Sequence, residues 1–158
     1  MAESKFDADS AEADTLVAHE LAHTFMDHKI ADERVKSLFG ESMVEFIATC
    51  VYRDMDTTQI ARTFAHYYNR LTEEEKQRSV FSLYNRIGSN SQTVYCKAPY
   101  IMFQFAQRIG FEQFMGILKQ YYTDIRTEDK TITWDNFEAF FKSHGVSDED
   151  WEWLYSAL

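Results

Sequence analysis

The chain has 158 residues, of which 45% are hydrophobic and 16% aromatic, which supplies enough apolar side chains for one domain with a buried core. Its formal net charge of -10 opposes binding to a phosphate backbone, so we expect no nucleic-acid partner. The sequence shows neither an apolar run of membrane-spanning length nor a signal peptide, and we therefore expect a cytoplasmic protein without a membrane span.

The composition favours helices over strands. Only one proline and five glycines interrupt the chain, while apolar residues recur at three- and four-residue spacing. We therefore predict a mainly α-helical fold, organised as a single domain over residues 1–158. Residues 1–13 are predicted to form a flexible N-terminal lead.

The first predicted helix carries two histidines beside its apolar stripe. The helix starts near Ser10 to Thr15. Its stripe is formed by Ala18, Leu21, Ala22, Phe25 and Met26. The charged stretch 27–36 interrupts the apolar pattern and is predicted to connect this helix to the next one.

Seven further helices are predicted from capping residues, glycine stops and apolar spacing. They cover residues 40–54, 57–71, 72–88, 95–110, 111–125, 133–145 and 147–158, with a loop at 89–94. The predicted caps and stops are Thr72, Thr133 and Ser147 at the N-termini and Gly88, Gly110 and Gly145 at the C-termini.

The pattern His19-Glu20-Leu21-Ala22-His23 lies within the first helix. Because a helix turns about 100° per residue, His19 and His23 project from one face and can bind the same metal ion. Zinc accepts imidazole nitrogens, and a catalytic zinc takes three protein ligands and keeps one position open. Glu20 lies between the histidines, where its carboxylate can accept the proton of a water whose pKa the zinc lowers. The pattern therefore predicts one zinc ion per chain, with Glu20 as general base.

The second helix is expected to supply the third zinc ligand. Glu41 lies 18 residues beyond His23, which is enough chain to leave the first helix, turn and return alongside it. Glu45 follows one turn later on the same face. We predict Glu41 as the third ligand and Glu45 as an acceptor that orients a ligating imidazole through its other nitrogen. The reverse assignment of the two glutamates is also consistent with the spacing.

The segments VAHELAHTF (17–25) and LFGESMVEFIA (38–48) resemble the zinc helix and the third-ligand helix of the aminopeptidase N family. The pattern of that family is HExxH, about eighteen residues and then a glutamate. Residues 94–122 resemble the Tyr-x-Lys-Gly segment of the family and the helix pair after it. The resemblance implies a gluzincin, a thermolysin-like zinc metallopeptidase. It further implies the helical subdomain of such a catalytic domain, with the upstream β-sheet half largely absent.

The resemblance also implies the same three zinc ligands, and it implies Tyr95 as the phenol that donates a hydrogen bond to the developing oxyanion. The sequence departs from the family pattern in several places. The gap between His23 and Glu41 holds one residue fewer than the usual eighteen, and Gly40 and Ser42 replace the flanking asparagine and glycine. No Gly-x-Met-Glu-Asn segment, which holds a substrate's amino terminus in the family, precedes the zinc helix.

These observations predict zinc-dependent hydrolysis of a peptide or protein substrate by an aminopeptidase-like enzyme. Because the amino-terminus segment is missing, the alternative is a zinc-containing but catalytically inactive protein-binding module, or a helical fragment of a larger aminopeptidase. Hydrolysis of a non-peptide substrate is a third alternative, which no residue selects. The sequence leaves the oligomeric state and the choice between endopeptidase and exopeptidase action open.

Overall fold

The computed structural model describes residues 5–26, 28–82 and 91–158, and the side chains within 15–26, 28–81 and 91–158. These ranges form helices and no strand, apart from an isolated parallel bridge between Ile30 and Ile132. The prediction of a mainly α-helical fold is therefore confirmed. No helix within these ranges has both the length and the apolar character that crossing a membrane requires.

Eight α-helices make up most of the described chain. They are α1 (Lys5–Met26), α2 (Met43–Tyr52), α3 (Thr57–Asn69), α4 (Glu73–Gln77), α5 (Ala98–Ile109), α6 (Phe111–Thr127), α7 (Trp134–Ser143) and α8 (Asp148–Ala157). Two π-helical turns, Leu38–Ser42 and Thr93–Lys97, lead directly into α2 and α5. Short 3₁₀ turns occupy Glu33–Val35 and Val80–Ser82. Residues 91–94, which were expected in a loop, are therefore helical and continue toward α5.

Helix α1 begins earlier than the sequence pattern indicates. It starts at Lys5, so residues 5–13 of the predicted lead form its first turns. This segment contains neither glycine nor proline, so its sequence does not oppose a helix. The buried face of α1 also differs from the predicted stripe, because Leu21 and Phe25 are 55% and 63% exposed.

The predicted helix over residues 72–88 ends much sooner than expected. The Thr72 side chain caps α4 as predicted and forms a capping box with Glu75. The helix stops after Gln77, and the backbone of Arg78 is extended with a ψ of 129°. The predicted stop for this helix, Gly88, lies outside the described residues.

Tertiary hydrogen bonds explain why α4 ends early. The carbonyl of Arg78 accepts a hydrogen bond from the buried Nζ of Lys97 at 2.7 Å. The N–H of Val80 donates to the carbonyl of Leu158 at the C-terminal end of the chain. Each of these backbone groups is satisfied outside a helix, so the local helical preference of residues 78–82 does not decide their conformation.

The ends of the last helices follow the sequence signals. Thr133 caps α7 through a capping box with Asn136, and Ser147 caps α8. Gly110 and Gly145 follow helix ends with φ values of 97° and 91°, a region that glycine adopts without a Cβ clash. These predictions are confirmed.

Helix α2 runs through the middle of the fold, and α1, α3 and α5 pack against it. Phe46 of α2 contacts Phe64 of α3 and Phe114 of α6, with ring centroids 6.0 and 5.6 Å apart. Phe105 of α5 contacts both Phe114 and Trp151 of α8. This aromatic core fixes the position of α2. Helix α1 packs along α2 through the buried Ala22 and Met26, and the candidate site lies between the two helices.

Candidate metal centre

Helix α1 presents His19 and His23 from one face toward α2. The Nε2 atoms of the two side chains lie 3.1 Å apart, and the ring centroids lie 4.9 Å apart. His19 is only 8% exposed, and His23 is partly buried. The four-residue spacing in the sequence therefore does bring both imidazoles to one point.

Glu45 orients the imidazole of His19. Its Oε2 lies 2.8 Å from Nδ1 of His19, and both side chains are largely buried. A carboxylate only accepts hydrogen bonds, so Nδ1 carries the proton and the lone pair of Nε2 points toward the centre. The structure therefore places the Glu45 carboxylate at the ring nitrogen of His19 that faces away from His23.

Glu41 completes a group of three donors. It lies in the π-helical turn Leu38–Ser42, and its Oε2 is 3.5 Å from Nε2 of His19 and 3.7 Å from Nε2 of His23. His19, His23 and Glu41 could together hold a metal ion. Among the described residues, Glu41 rather than Glu45 belongs to this group, which agrees with the assignment preferred from the sequence.

The donor distances can be compared with those of a tetrahedral site. Ligands about 2.0–2.2 Å from a tetrahedral zinc lie roughly 3.3–3.6 Å from one another. The three distances between Nε2 of His19, Nε2 of His23 and Oε2 of Glu41 are 3.1, 3.5 and 3.7 Å. The donor atoms therefore fit such an ion with shifts of a few tenths of an ångström.

Tyr95 lies directly beside this group. Its hydroxyl donates to Oε2 of Glu41 at 2.8 Å, and its ring lies 6.0 Å from that of His19. Burial and the neighbouring Glu41 carboxylate raise the pKa of the Tyr95 phenol above its ordinary value, so the group keeps its proton and remains a donor at neutral pH. In this structure the acceptor is Glu41, whereas the family resemblance assigned Tyr95 to an oxyanion.

A cavity of about 760 Å³ opens onto the three donors. Glu20 also lines this cavity, is exposed, and does not belong to the group of three donors. Glu20 also contributes to the raised pKa of Tyr95, which places the two groups within electrostatic reach of each other. The volume lies within the usual range for sites that bind small molecules or short peptides.

The cysteine in this cavity is not a candidate thiolate. Cys96 lines the cavity, and burial raises its pKa to about 11. Cys50 lies in the core, where burial raises its pKa to about 12. Both cysteines are free thiols, and burial keeps both protonated at neutral pH where no metal is bound.

Several other side chains line the same cavity without having been predicted as site residues. They include Tyr52, Arg53 and Tyr67. The signal that could have indicated Arg53 is the four-residue spacing that runs along the second helix from Glu41 through Glu45. Tyr67 belongs to α3 and has no sequence signal, since only the packing of α3 on α2 brings it to the cavity.

Comparison with protein-family models, with curated proteins and with solved structures gave no match.

Proposed function

We propose that the protein is a zinc metallopeptidase of the gluzincin type, related to the helical half of an aminopeptidase N catalytic domain. The observation that carries the proposal is the position of three metal donors at the wall of a substrate-sized cavity that also contains Glu20. A structural zinc site has four protein ligands and is closed, whereas a catalytic site has three and is open. His19, His23 and Glu41 match the second description.

The chain's residues divide the chemistry between them. A zinc ion held by His19, His23 and Glu41 would supply Lewis acidity, which polarises a peptide carbonyl and lowers the pKa of water. Glu20 accepts the proton from the attacking water and returns it to the leaving amine. Tyr95, which keeps its proton, donates a hydrogen bond to the carbonyl oxygen as negative charge develops there, after leaving Glu41.

The first test separates metal binding from hydrolysis. Zinc content is measured by mass spectrometry for the wild type and for Glu41→Ala, and hydrolysis of a peptide library is assayed on the same samples. We expect one zinc per wild-type chain, turnover by the wild type, and loss of both in Glu41→Ala. A wild type that binds no zinc, or an Glu41→Ala variant with undiminished zinc and turnover, would contradict the proposal.

The second test addresses the general base. Glu20→Gln is expected to keep one zinc per chain while kcat falls by roughly 10²–10⁴-fold, since the amide cannot accept the proton. Glu112→Gln, which removes an exposed carboxylate from α6, is the matched control and should leave both quantities unchanged. Retained hydrolysis by a pure Glu20→Gln preparation would remove Glu20 from the mechanism.

A metal-stabilised binding module is the second candidate function. The observation that favours it is the row of large apolar side chains that α1 exposes, formed by Val17, Leu21 and Phe25. This candidate predicts one zinc per chain, a melting temperature that falls when a chelator removes the metal, and no turnover of any library peptide. Turnover that depends on Glu20 would exclude it.

A further inference from the structure

Arg53 is the one arginine or lysine that lines the metal-centre cavity among the described residues. The cavity wall also contains the carboxylates of Glu20, Glu41 and Glu45 and the imidazoles of His19 and His23. A guanidinium keeps its charge at every physiological pH. The cavity wall therefore has the three candidate metal donors in one place and a permanent cation in another.

The Arg53 guanidinium forms no ion pair with a carboxylate of the described residues. This distinguishes it from Arg34, Arg78 and Arg108, each of which contacts an aspartate or glutamate. Its Nε is buried and has no hydrogen-bond acceptor within the described part of the chain. Its contact is instead with the ring of Tyr52, whose centroid lies 4.9 Å from Cζ. In a chain with a net charge of -10, an arginine without an anionic partner remains available to an anion that enters the cavity.

The backbone around Arg53 is tightly held. Helix α2 ends in a Schellman motif, in which the N–H of Asp54 donates to the carbonyl of Val51 and the N–H of Met55 donates to the carbonyl of Cys50. Asp54 and Met55 have φ values of 50° and 59°, a region that side-chain-bearing residues rarely adopt. These backbone hydrogen bonds define the corner between α2 and α3 and fix the position of the Arg53 backbone at the cavity wall.

We propose that Arg53 binds a carboxylate of the substrate, so that the site selects peptides with a carboxylate near the bond to be cleaved. The planar guanidinium matches a carboxylate through two parallel hydrogen bonds, and the stacked Tyr52 ring holds it in place. The carboxylate belongs either to the C-terminus of a short peptide or to an acidic side chain. This substrate preference rests on the proposed peptidase function, but carboxylate binding at Arg53 does not, because Arg53 is not one of the three metal donors.

Binding to metal-stripped protein tests the carboxylate site directly. The probes are N-acetylated tripeptides with neutral side chains, prepared as the C-terminal acid and as the C-terminal amide. A second pair, both C-terminal amides, carries a glutamate or a glutamine. Dissociation constants are measured by NMR titration. We expect the acid of at least one pair to bind roughly tenfold to one hundredfold more tightly than its neutral partner, as for hydrogen bonds to charged groups. The pair that shows the preference identifies the source of the carboxylate.

Variants assign the preference to Arg53. Arg53→Gln should weaken the acid probe to the level of the neutral probe and leave the neutral probe unchanged, whereas Arg53→Lys should keep part of the preference. Arg62→Gln removes the same charge from an exposed position on α3 and should leave the preference intact. Equal binding of both members of both pairs by the wild type would overturn the proposal, as would an equal loss of acid and neutral probe in Arg53→Gln.

Hydrolysis of the same probes, and of their counterparts with a free amino terminus, by the zinc-loaded protein separates this inference from the proposed function. Preferential binding through Arg53 without hydrolysis of either the acetylated or the free peptides would overturn the peptidase function and leave the carboxylate site standing. Hydrolysis of acid and neutral probes with equal kcat/KM, and equal binding, would leave the peptidase function standing and remove the role of Arg53.

Discussion

Glu45 does not belong to the group of three donors but contacts it through the imidazole of His19. Its carboxylate lies 2.8 Å from Nδ1 of His19, so it fixes both the tautomer and the ring orientation of that side chain. Glu41, one turn earlier, points its Oε2 at Nε2 of both histidines. These two glutamates are four residues apart and make different contacts. Their distances to the imidazole nitrogens distinguish them.

Removing the Glu45 carboxylate should weaken metal binding without abolishing it. We expect Glu45→Ala to lower the zinc affinity roughly 10–100-fold, the usual effect of losing a partner that orients a ligand. Glu45→Gln, which keeps an acceptor oxygen, should lose less. The affinity is measured by competition with a chromogenic chelator. If Glu45→Ala lost more affinity than Glu41→Ala, Glu45 rather than Glu41 would be the ligand.

Two π-helical turns hold the site at the level of secondary structure. Leu38–Ser42 contains Glu41, and Thr93–Lys97 contains Tyr95. The buried hydroxyl of Ser42 donates to the carbonyl of Val94 at 2.7 Å and so ties one turn to the other. A π-helical turn adds a residue to a helix and changes the direction of its side chains, which is why such turns recur at functional sites. Here they bring the Tyr95 hydroxyl within hydrogen-bonding distance of Glu41.

The hydrogen bond between these turns can be removed with one substitution. Ser42→Ala leaves the buried Val94 carbonyl without this donor, so we expect the free energy of unfolding to fall by about 1–3 kcal/mol. Zinc affinity should fall several-fold, because Glu41 is adjacent to Ser42. The free energy of unfolding is measured by urea denaturation in the presence of a chelator, and the zinc affinity by competition with a chromogenic chelator. Ser143→Ala removes an exposed hydroxyl within α7 and should change neither. A destabilised variant with unchanged zinc affinity would show that the bond supports the fold but not the site.

The sequence pattern of α1 does not determine which face of the helix is buried. Ala22 and Met26 are buried, but Leu21 and Phe25, which belong to the same predicted stripe, are exposed. The apolar positions of α1 cover a wide arc, and the arc alone does not determine which part turns inward. In the folded chain Ala22 and Met26 join the core and His19 lies against Glu45, while Leu21 and Phe25 remain on the surface.

For the whole molecule, Lys97 links distant segments of the chain. It is 4% exposed, and its Nζ donates to the carbonyl of Arg78 at 2.7 Å. Burial lowers its pKa below the ordinary lysine value of 10.5. Between the folded pKa and 10.5 the unfolded chain therefore binds more protons than the folded chain, so this group makes the protein more stable as the pH rises through that window.

This linkage gives a prediction for Lys97→Met. The variant lacks the titrating group but keeps an unbranched side chain of similar length. Wild-type stability should rise relative to that of the variant as the pH increases toward 10.5. The free energy of unfolding is measured by urea denaturation at several pH values, with the exposed Lys119→Met as control for loss of a surface charge. A constant difference between wild type and Lys97→Met at all pH values would contradict a lowered pKa.

The sequence by itself determined the helical class, the caps and stops of the late helices, and the placement of His19 and His23 on one face of α1. These are local properties, since capping, glycine conformation and four-residue spacing depend on residues within a turn or two of one another. The tertiary structure alone decided the early end of α4, the π-helical turns, the buried face of α1 and the place of Arg53 in the cavity. Each of these depends on a partner far away in the chain, such as Lys97 for Arg78 and Val94 for Ser42, and sequence periodicity contains no information about such partners.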